Sequence, residues 1–209
     1  RKALCRTREG HFLEMGAVRM IREELGNTLL LAVTGGAPTP APVLEFMAMC
    51  LSGGNETRVT DSYGSTEFPG ISTNGVVSDD VELKLVEVIG SDAGNKNTVL
   101  YSPDSHPPRG EIVVRRKRGG RTSYWKRPEL DAKVWQNGWY HTGDVGELDY
   151  TSVKGEVRLR VIARVTSLEE VYWHHDSEWI PAEQLEGSVY GMLTDQVMHV
   201  VLTADRNRE

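Results

Sequence analysis

Residues 61–67, DSYGSTE, bring groups able to handle a nucleotide into one short stretch. Tyr63 offers a flat apolar face on which a nucleobase can stack. Gly64 can adopt backbone conformations closed to other residues, which lets a ligand approach the main chain. Thr66 offers a hydroxyl to a phosphate oxygen, and Glu67 offers a hard oxygen ligand suited to magnesium. An ordinary polar loop after a strand explains the same residues equally well, because short motifs match by chance.

The elements around this stretch predict a parallel sheet. Apolar residues at helical spacing predict a helix over residues 11–25, and prolines 40 and 42 open a second helix that runs to about Leu51. The apolar run 29–33 is typical of a strand buried on both faces, and the β-prone residues 57–60 precede Tyr63. Ligands of such sheets lie at the carboxyl ends of the strands, where TGGAP (residues 34–38) and DSYGSTE both fall.

The residues after Gly75 favour an antiparallel, β-rich half. The alternating segment 81–88 predicts a half-exposed strand, and residues 112–114 and 156–162 predict two more. Residues 90–108 show little periodicity and are predicted to be rich in loops. Residues 125–128 lead into a short helix, for which a structural role is expected because the segment offers no convergent polar atoms.

A third candidate segment is NGWYHTGDVG, residues 137–146. Asp144 follows Thr142 and Gly143, so its carboxylate can project from a tight turn. A carboxylate can accept a hydrogen bond from each of two adjacent sugar hydroxyls. Asp144 is therefore a candidate for binding a ribose.

TGGAP, DSYGSTE and NGWYHTGDVG, in this order and with YWKRPE (124–129) between the last two, resemble the adenylate-forming (AMP-binding) superfamily. Its members include acyl-CoA synthetases, luciferases, peptide-synthetase adenylation domains and carboxylic acid reductases. The resemblance runs from about residue 25 to 186, and segments 80–85 and 107–111 look closest to the long-chain acyl-CoA synthetase and carboxylic acid reductase branches. It implies an α/β fold that forms the C-terminal half of the large domain.

The resemblance also implies a division into three parts. Residues 1–75 would belong to the α/β part of the AMP-binding domain. Residues 76–162 would form a β-barrel-like subdomain that carries the ribose-binding motif. Residues 163–209 would contain the hinge and the beginning of the small C-terminal domain.

The implied reaction has two steps. ATP and a carboxylic acid, fatty in these branches, give an acyl-adenylate and pyrophosphate, and the thiol of CoA or phosphopantetheine then takes the acyl group. Thr66 would contact the α-phosphate and Glu67 the magnesium, which makes these two the catalytic candidates. The residues implied in nucleotide binding are Gly35, Gly36, Ala37, Asp61, Tyr63, Gly64, Thr66, Asp144 and Arg164.

Some positions depart from the family pattern and keep other hypotheses open. Ala163 stands where the family has a hinge aspartate, and Ser177 where it has glycine. A non-catalytic module that binds a nucleotide or acyl-adenylate is one alternative, and an adenylation domain feeding a reductase is another. His174 and His175 lie in an apparent insertion, and adjacent histidines rarely chelate one ion without a third ligand, so a solvated loop is favoured there.

Composition limits the class of protein further. The chain has 209 residues with 24 Lys and Arg against 30 Asp and Glu, and this net charge of −6 argues against a general nucleic-acid binder. The basic run 115–118 is expected to be a solvated loop. Two distant cysteines indicate a reducing intracellular setting, cytoplasmic or organelle-associated, and no window predicts a transmembrane helix. The expected partner is a small carboxylic acid, and the oligomeric state stays open.

The chain begins at Arg1 without an initiator methionine, which predicts a piece of a longer protein. No Ser/Thr/Gly-rich loop ending in lysine occurs in it, and the family's C-terminal lysine would lie beyond Glu209. These groups supply the positive charge that a pentavalent transition state needs.

We therefore expect the 209-residue chain alone to show no carboxylate-dependent release of pyrophosphate, measured with ATP, magnesium, CoA and a panel of fatty acids. A reaction without the acid gives the background. Turnover near that of ordinary ligases would contradict this expectation.

Overall fold

The computed structural model describes residues 8–25, 29–37, 39, 41–52, 59–92, 95–150, 157–165, 171–173 and 179–181. Contacts divide the chain into two units, residues 1–63 and 64–209. The helices of the described residues are α1 (Arg8–Glu24), α2 (Ala41–Ser52) and α3 (Pro128–Val134). Their strands are β1 (Ala32–Gly35), β2 (Val59–Tyr63), β3 (Ser72–Thr73), β4 (Val76–Val77), β5 (Val81–Val86), β6 (Val88–Asp92), β7 (Asn95–Tyr101), β8 (Arg109–Arg116), β9 (Trp135–Gln136), β10 (Trp139–Asp149), β11 (Arg158–Arg164), β12 (Val171–Trp173) and β13 (Trp179–Pro181).

The first unit contains the predicted parallel strands and two helices. β1 pairs with β2 in parallel, from Ala32 opposite Val59 to Gly35 opposite Ser62. Arg22 of α1 donates to the carbonyl oxygens of two residues at the end of α2, which satisfies groups that no helical N–H reaches. Strand, helix and strand therefore follow one another as the sequence predicts.

Two details of this unit differ from the prediction. The strand is Ala32–Gly35 rather than 29–33, and Leu30 and Val33 are 77% and 60% exposed rather than buried. In addition, Asp61 and Tyr63 belong to β2 and not to the following loop, because backbone pairing with β1 continues through Gly35.

The second unit is built on an antiparallel sheet, as predicted. Its strands lie in the order β3–β4–β11–β10–β8–β5, and β9 pairs with the start of β10. The side chains of residues 112–114 in β8, which lies between β10 and β5, are fully buried. Two of its hairpins turn on Asn-Gly pairs, 74–75 and 137–138, and all four residues have positive φ, as a type I′ turn requires.

The segment 90–108 is only partly the loop-rich stretch that its sequence predicts: residues 102–108 lie outside strands and helices, whereas most of the part before them is in strands. Residues 88–92 and 95–101 form an antiparallel hairpin, β6 and β7. Its apolar side chains at positions 88, 100 and 101 are buried in a cluster with Val145 of β10 and Ala163 of β11. Contacts with distant strands decide this structure, and local periodicity does not record them.

The remaining predictions have mixed outcomes. α3 begins at Pro128, where proline's missing N–H costs nothing. β12 and β13 pair as a hairpin, while residues 174–178 and 182–209 lie outside the described residues. The three-part division of the chain stays a prediction. No helix among the described residues has the length and apolar character needed to cross a membrane.

Gly110 of β8 is expected to tolerate no side chain. A methyl group there would lie 2.4 Å from the carbonyl oxygen of Val86, a backbone atom of the paired strand β5. Gly110→Ala should lower the free energy of unfolding by about 1–3 kcal/mol, the usual cost of overpacking. Denaturant titration followed by tryptophan fluorescence measures this, because all five tryptophans lie in the second unit.

Gly16→Ala is the matched control, since nothing lies within 4 Å of a methyl group there and α1 favours alanine. It should not lower the fluorescence midpoint. An unchanged midpoint for Gly110→Ala would contradict the close approach of β5 and β8.

Candidate functional site

Asp144 projects from a bulge in the long strand β10 and not from a separate tight turn. On the β8 side, His141 pairs with Val113 and Val145 with Glu111, so three residues of β10 face one residue of β8. Gly143 within the bulge has a φ of +71°, a conformation that glycine adopts readily. The bulge therefore turns the Asp144 side chain away from the direction that the regular pleat of β10 would give it.

Side chains from β8 and β10 hold the bulge in place. Glu111 accepts a hydrogen bond from the Gly143 N–H at 3.2 Å, and its other carboxylate oxygen lies 3.0 Å from Nδ1 of His141. The Thr142 hydroxyl donates to the carbonyl oxygen of Ile112 at 2.8 Å and accepts from the Asp144 N–H at 3.0 Å. Backbone groups that the bulge releases from the ladder are thereby paired.

Asp144 and Arg164 are directly opposite each other in the register of β10 and β11. Arg164 Nε donates to Asp144 Oδ1 at 3.0 Å. The aspartate side chain is 14% exposed and the arginine side chain 70% exposed. Such an ion pair adds only about 0–1 kcal/mol to the free energy of unfolding. Its position is therefore more important for the polar groups that it offers to a ligand from solvent.

The loop that begins at Gly64 carries Thr66 and Glu67 on a turn closed by Ser65. The Ser65 N–H donates to the carbonyl oxygen of Phe68 at 3.1 Å, and the Phe68 N–H donates back to the Ser65 hydroxyl at 3.1 Å. A methyl group at position 64 would lie 2.7 Å from the backbone nitrogen of Gly70. Glycine is therefore required for the loop to fold on itself, a different reason from the ligand approach that the sequence suggests.

Three aromatic rings attach this loop to the start of β10. The ring of Phe68 stacks on that of Tyr140, with centroids 5.9 Å apart, and Trp135 of β9 lies 5.3 Å from Tyr140. The hydroxyls of Ser65 and Tyr140 are 3.4 Å apart. The turn with Glu67 and the strand with Asp144 are thus parts of one packed region.

Glu67 is held at both its carbonyl and its carboxylate. Thr122 donates to the Glu67 carbonyl oxygen at 2.5 Å, and the Tyr124 hydroxyl donates to Glu67 Oε1. The Tyr124 hydrogen bond, with a smaller contribution from the charge of Arg164, lowers the pKa of Glu67. The carboxylate is therefore ionised over the physiological range.

Tyr124 is a site residue that the sequence interpretation does not identify, because it assigns a structural role to the adjoining residues 125–128 and no role to Tyr124 itself. The Tyr124 N–H donates to the buried Asp131 of α3 at 2.8 Å. The hydrogen bond to Glu67 is the main reason why the pKa of Tyr124 rises to about 12. The Tyr-Trp-Lys-Arg-Pro-Glu motif was a usable signal, but its partner lies 57 residues away.

A small pocket of about 110 Å³ opens beside these groups. It lies between the turn that carries Thr66 and Glu67 and the segment that carries Tyr124. Its lining residues are Thr66, Glu67, Thr122, Ser123, Tyr124, Asp131 and Trp135. Two carboxylates, several hydroxyls and an indole ring therefore line one space.

The predicted residues of the first unit lie at the ends of β1 and β2. Gly35 faces Ser62 so closely that a methyl group would lie 2.5 Å from the Ser62 carbonyl oxygen, and Gly36 turns the chain with a φ of +88°. Ala37 follows in this exposed turn. The Thr39 hydroxyl lies 3.0 Å from that of Thr34.

Asp61 and Tyr63 are half-buried on β2. Burial raises the pKa of Asp61, and a hydrogen bond from Thr39 partly opposes that rise. Because Asp61 is opposite Thr34 in the register, Thr39 ties the glycine turn to β2. The ends of β1 and β2 therefore carry the glycine turn after Thr34 and the ring of Tyr63, as the two sequence motifs predict.

The described side chains suit magnesium only if a bound substrate and water supply most of its ligands. Among the described residues, no group of three or more His, Cys, Asp or Glu side chains converges. Magnesium, however, is commonly held by one or two carboxylates together with substrate phosphates and water. Glu67, ionised and beside the hydroxyls of the Ser65 turn, fits that arrangement.

Comparisons with known proteins give consistent relatives, although no protein-family model matches the chain. Long chain acyl-CoA synthetase 1 of Arabidopsis thaliana is 32% identical over 183 residues, 84% of this chain and 25% of that protein. The adenylation domain of a carboxylate reductase from Mycobacterium chelonae superimposes with a TM-score of 0.71 at 27% identity, covering 99% of this chain and 29% of that one.

A second solved structure is the adenylation domain of carboxylic acid reductase from Segniliparus rugosus, in complex with AMP and a co-purified carboxylic acid. It gives a TM-score of 0.62 at 25% identity and covers 89% of this chain and 26% of that one. The chain thus spans about a quarter of the length of these relatives.

The phenol of Tyr124 is expected to titrate near pH 12 rather than at its ordinary value of 10. Its neutral form is favoured in the folded chain, so the stability that it contributes is fully present below pH 10 and is lost as the pH rises through 12. The ultraviolet absorbance of tyrosinate, compared between the unsubstituted chain and Tyr124→Phe, isolates this group. A difference curve centred at pH 10 would contradict the hydrogen bond to Glu67.

Proposed function

We propose that this homologue of the long-chain acyl-CoA synthetases and of the carboxylic acid reductase adenylation domains contributes the adenylate-binding part of an enzyme that activates carboxylic acids. Its fold matches the C-terminal half of adenylate-forming domains, in agreement with the predicted α/β class. The parent activity is an AMP-forming acid–thiol ligase of the acyl-CoA synthetase type, and a fatty acid is the proposed substrate. An intracellular setting, cytoplasmic or organelle-associated, belongs to the proposal.

One observation carries this proposal. Glu67, Asp144 and Arg164 come from three segments far apart in the chain, and they share one region of the second unit. Arg164 is hydrogen-bonded to Asp144, and its charge also lowers the pKa of Glu67. An anionic ligand for a metal therefore lies near a carboxylate–guanidinium pair, a combination suited to a phosphate on one side and a ribose on the other.

The proposed roles in the second unit follow from these contacts. Asp144 accepts hydrogen bonds from the ribose hydroxyls, and Arg164, whose side chain is largely exposed, donates to the same sugar. Thr66 at the exposed tip of its turn donates to the α-phosphate. Gly64 allows the loop to close tightly enough to present these groups.

In the first unit we assign adenine binding to the residues at the strand ends. Tyr63 stacks on the base, and the Gly35–Gly36–Ala37 turn lies along it. Asp61 supports that turn through Thr39. We further propose that residues 163–209 begin the small C-terminal domain.

The chemistry follows from the poor electrophilicity of a carboxylate. A carboxylate oxygen of the acid attacks the α-phosphorus of ATP, the bond to pyrophosphate breaks, and AMP becomes the leaving group for a thiol of CoA or phosphopantetheine. Magnesium, when bound, neutralises charge on the phosphates, with Glu67 as its protein ligand. The chain's own contribution is to hold the nucleoside and orient the α-phosphate.

A non-catalytic adenylate-binding module is the second candidate, and Ala163 favours it. This residue lies in β11 opposite Val145, and it is 7% exposed within an apolar cluster. An aspartate side chain here would place a charge among Val88, Leu100 and Tyr101, at a large desolvation cost. The position is therefore poorly suited to a polar hinge. Absence of turnover in the parent protein, together with adenylate binding, would favour this candidate.

Asp144→Ala should weaken binding of AMP and of a non-hydrolysable acyl-adenylate at least about tenfold, because two charge-assisted hydrogen bonds to the ribose are lost. Thermal shift of the 209-residue chain against ligand concentration measures this effect. The substitution should matter less for a 2′,3′-dideoxy analogue, which offers no hydroxyl to the carboxylate.

Asp79→Ala is the matched control, since it removes an exposed carboxylate from the same unit. It should leave binding unchanged. No thermal stabilisation of the unsubstituted chain by either ligand would contradict the proposed function.

A further inference from the structure

The contact between Tyr124 and Glu67 has no role in the function proposed so far. The Tyr124 hydroxyl donates to Glu67 Oε1 across 57 residues of sequence. Residue 122 of the same segment donates to the Glu67 carbonyl oxygen at 2.5 Å. Residues 122 and 124 thus hold Glu67 by hydrogen bonds to its backbone carbonyl and to its carboxylate.

Tyr124 is itself held at both sides of its main chain. Its N–H donates to Oδ1 of Asp131 at 2.8 Å, and its carbonyl oxygen accepts from the Arg127 N–H at 3.2 Å. Asp131 is 8% exposed, and its backbone N–H donates to the Arg127 carbonyl oxygen at 3.3 Å. The first turn of α3 therefore fixes where the phenol can reach.

The carboxylate of Glu67 keeps acceptor capacity while it is held. The hydrogen bond from Tyr124 is the main reason why the pKa of Glu67 is lowered, and it favours the ionised form. A carboxylate has about four lone-pair sites, so Glu67 keeps sites for a cation while it accepts the hydrogen bond from Tyr124. A glutamate side chain left to rotate would lose rotamer entropy when it binds a metal, and the Tyr124 hydrogen bond removes part of that loss in advance.

We propose that Tyr124 is a positioning residue that orients the Glu67 carboxylate toward the magnesium of the bound nucleotide. The inference rests on the proposed function, in which Glu67 is the magnesium ligand. The Tyr-Trp-Lys-Arg-Pro-Glu segment then has a purpose beyond starting a helix. Its tyrosine reaches a metal ligand, and its helix supplies the aspartate that anchors the tyrosine.

Tyr124→Phe tests this role because it removes one hydroxyl and keeps the ring. Magnesium is titrated into the 209-residue chain at a fixed ATP concentration, and thermal stabilisation is followed. The magnesium concentration for half-maximal stabilisation should rise about tenfold, the usual effect of losing a partner of a metal ligand. Stabilisation by AMP in the presence of EDTA should not change, because AMP requires no metal there.

Tyr150→Phe is the matched control, since it makes the same chemical change at an exposed tyrosine of the same unit. It should leave both measurements unchanged. A double-mutant cycle adds a second readout: in a Glu67→Gln background, Tyr124→Phe should shift the magnesium dependence no further, because the phenol acts through that carboxylate.

The outcomes separate the two levels of the proposal. If the unsubstituted chain is not stabilised by AMP, the proposed function fails and this inference with it. If AMP binds but ATP shows no magnesium dependence, or if Tyr124→Phe matches the unsubstituted chain, the inference alone is overturned. An equal loss of AMP and magnesium-dependent ATP binding in Tyr124→Phe would also overturn it, because that result indicates a general structural role.

Discussion

The hydrogen-bonded register of β10 with its two neighbours is the constraint on which the second unit depends. On one side it places Asp144 opposite Arg164 of β11, and on the other it brings the bulge against Glu111 of β8. A slip of one residue would turn every β10 side chain to the other face and would separate the ion pair. The buried Glu147, paired with Arg109 at 2.8 Å and Arg160 at 2.7 Å, reinforces the same register from both neighbouring strands.

In the region around β10, apolar packing brings segments together and hydrogen bonds orient their side chains. The rings of Phe68, Trp135 and Tyr140 bring the Ser65 turn to the start of β10. Hydrogen bonds then orient what the packing brings together, since Tyr124 and Thr122 hold Glu67 from a separate segment. An aromatic contact positions a whole ring, whereas a hydrogen bond to a carboxylate fixes the position of one atom. The region therefore combines a stable base with side chains held in defined directions.

Prediction from sequence succeeded where local chemistry decides structure. The short helix predicted after residues 125–128 is α3, and it begins at Pro128 because a first helical turn needs no N–H from proline. Prediction failed where distant contacts decide. Residues 88–92 and 95–101 form a hairpin whose apolar residues pack against β10 and β11, and the run 29–33 is largely exposed although its composition resembles a buried strand. Neither outcome is encoded within a window of ten residues.

The sequence alone determined which chemical groups are available: the motif residues from Tyr63 to Glu67, the aspartate at 144, the arginine at 164, and the order that relates the chain to adenylate-forming enzymes. Only the tertiary structure decided which of them meet. The Asp144–Arg164 pair depends on a strand register, and the Tyr124–Glu67 hydrogen bond joins residues 57 positions apart. A contact between distant segments depends on how strands pair and helices pack across the whole unit. Local propensity carries no record of such pairing, because the same residue types suit many registers.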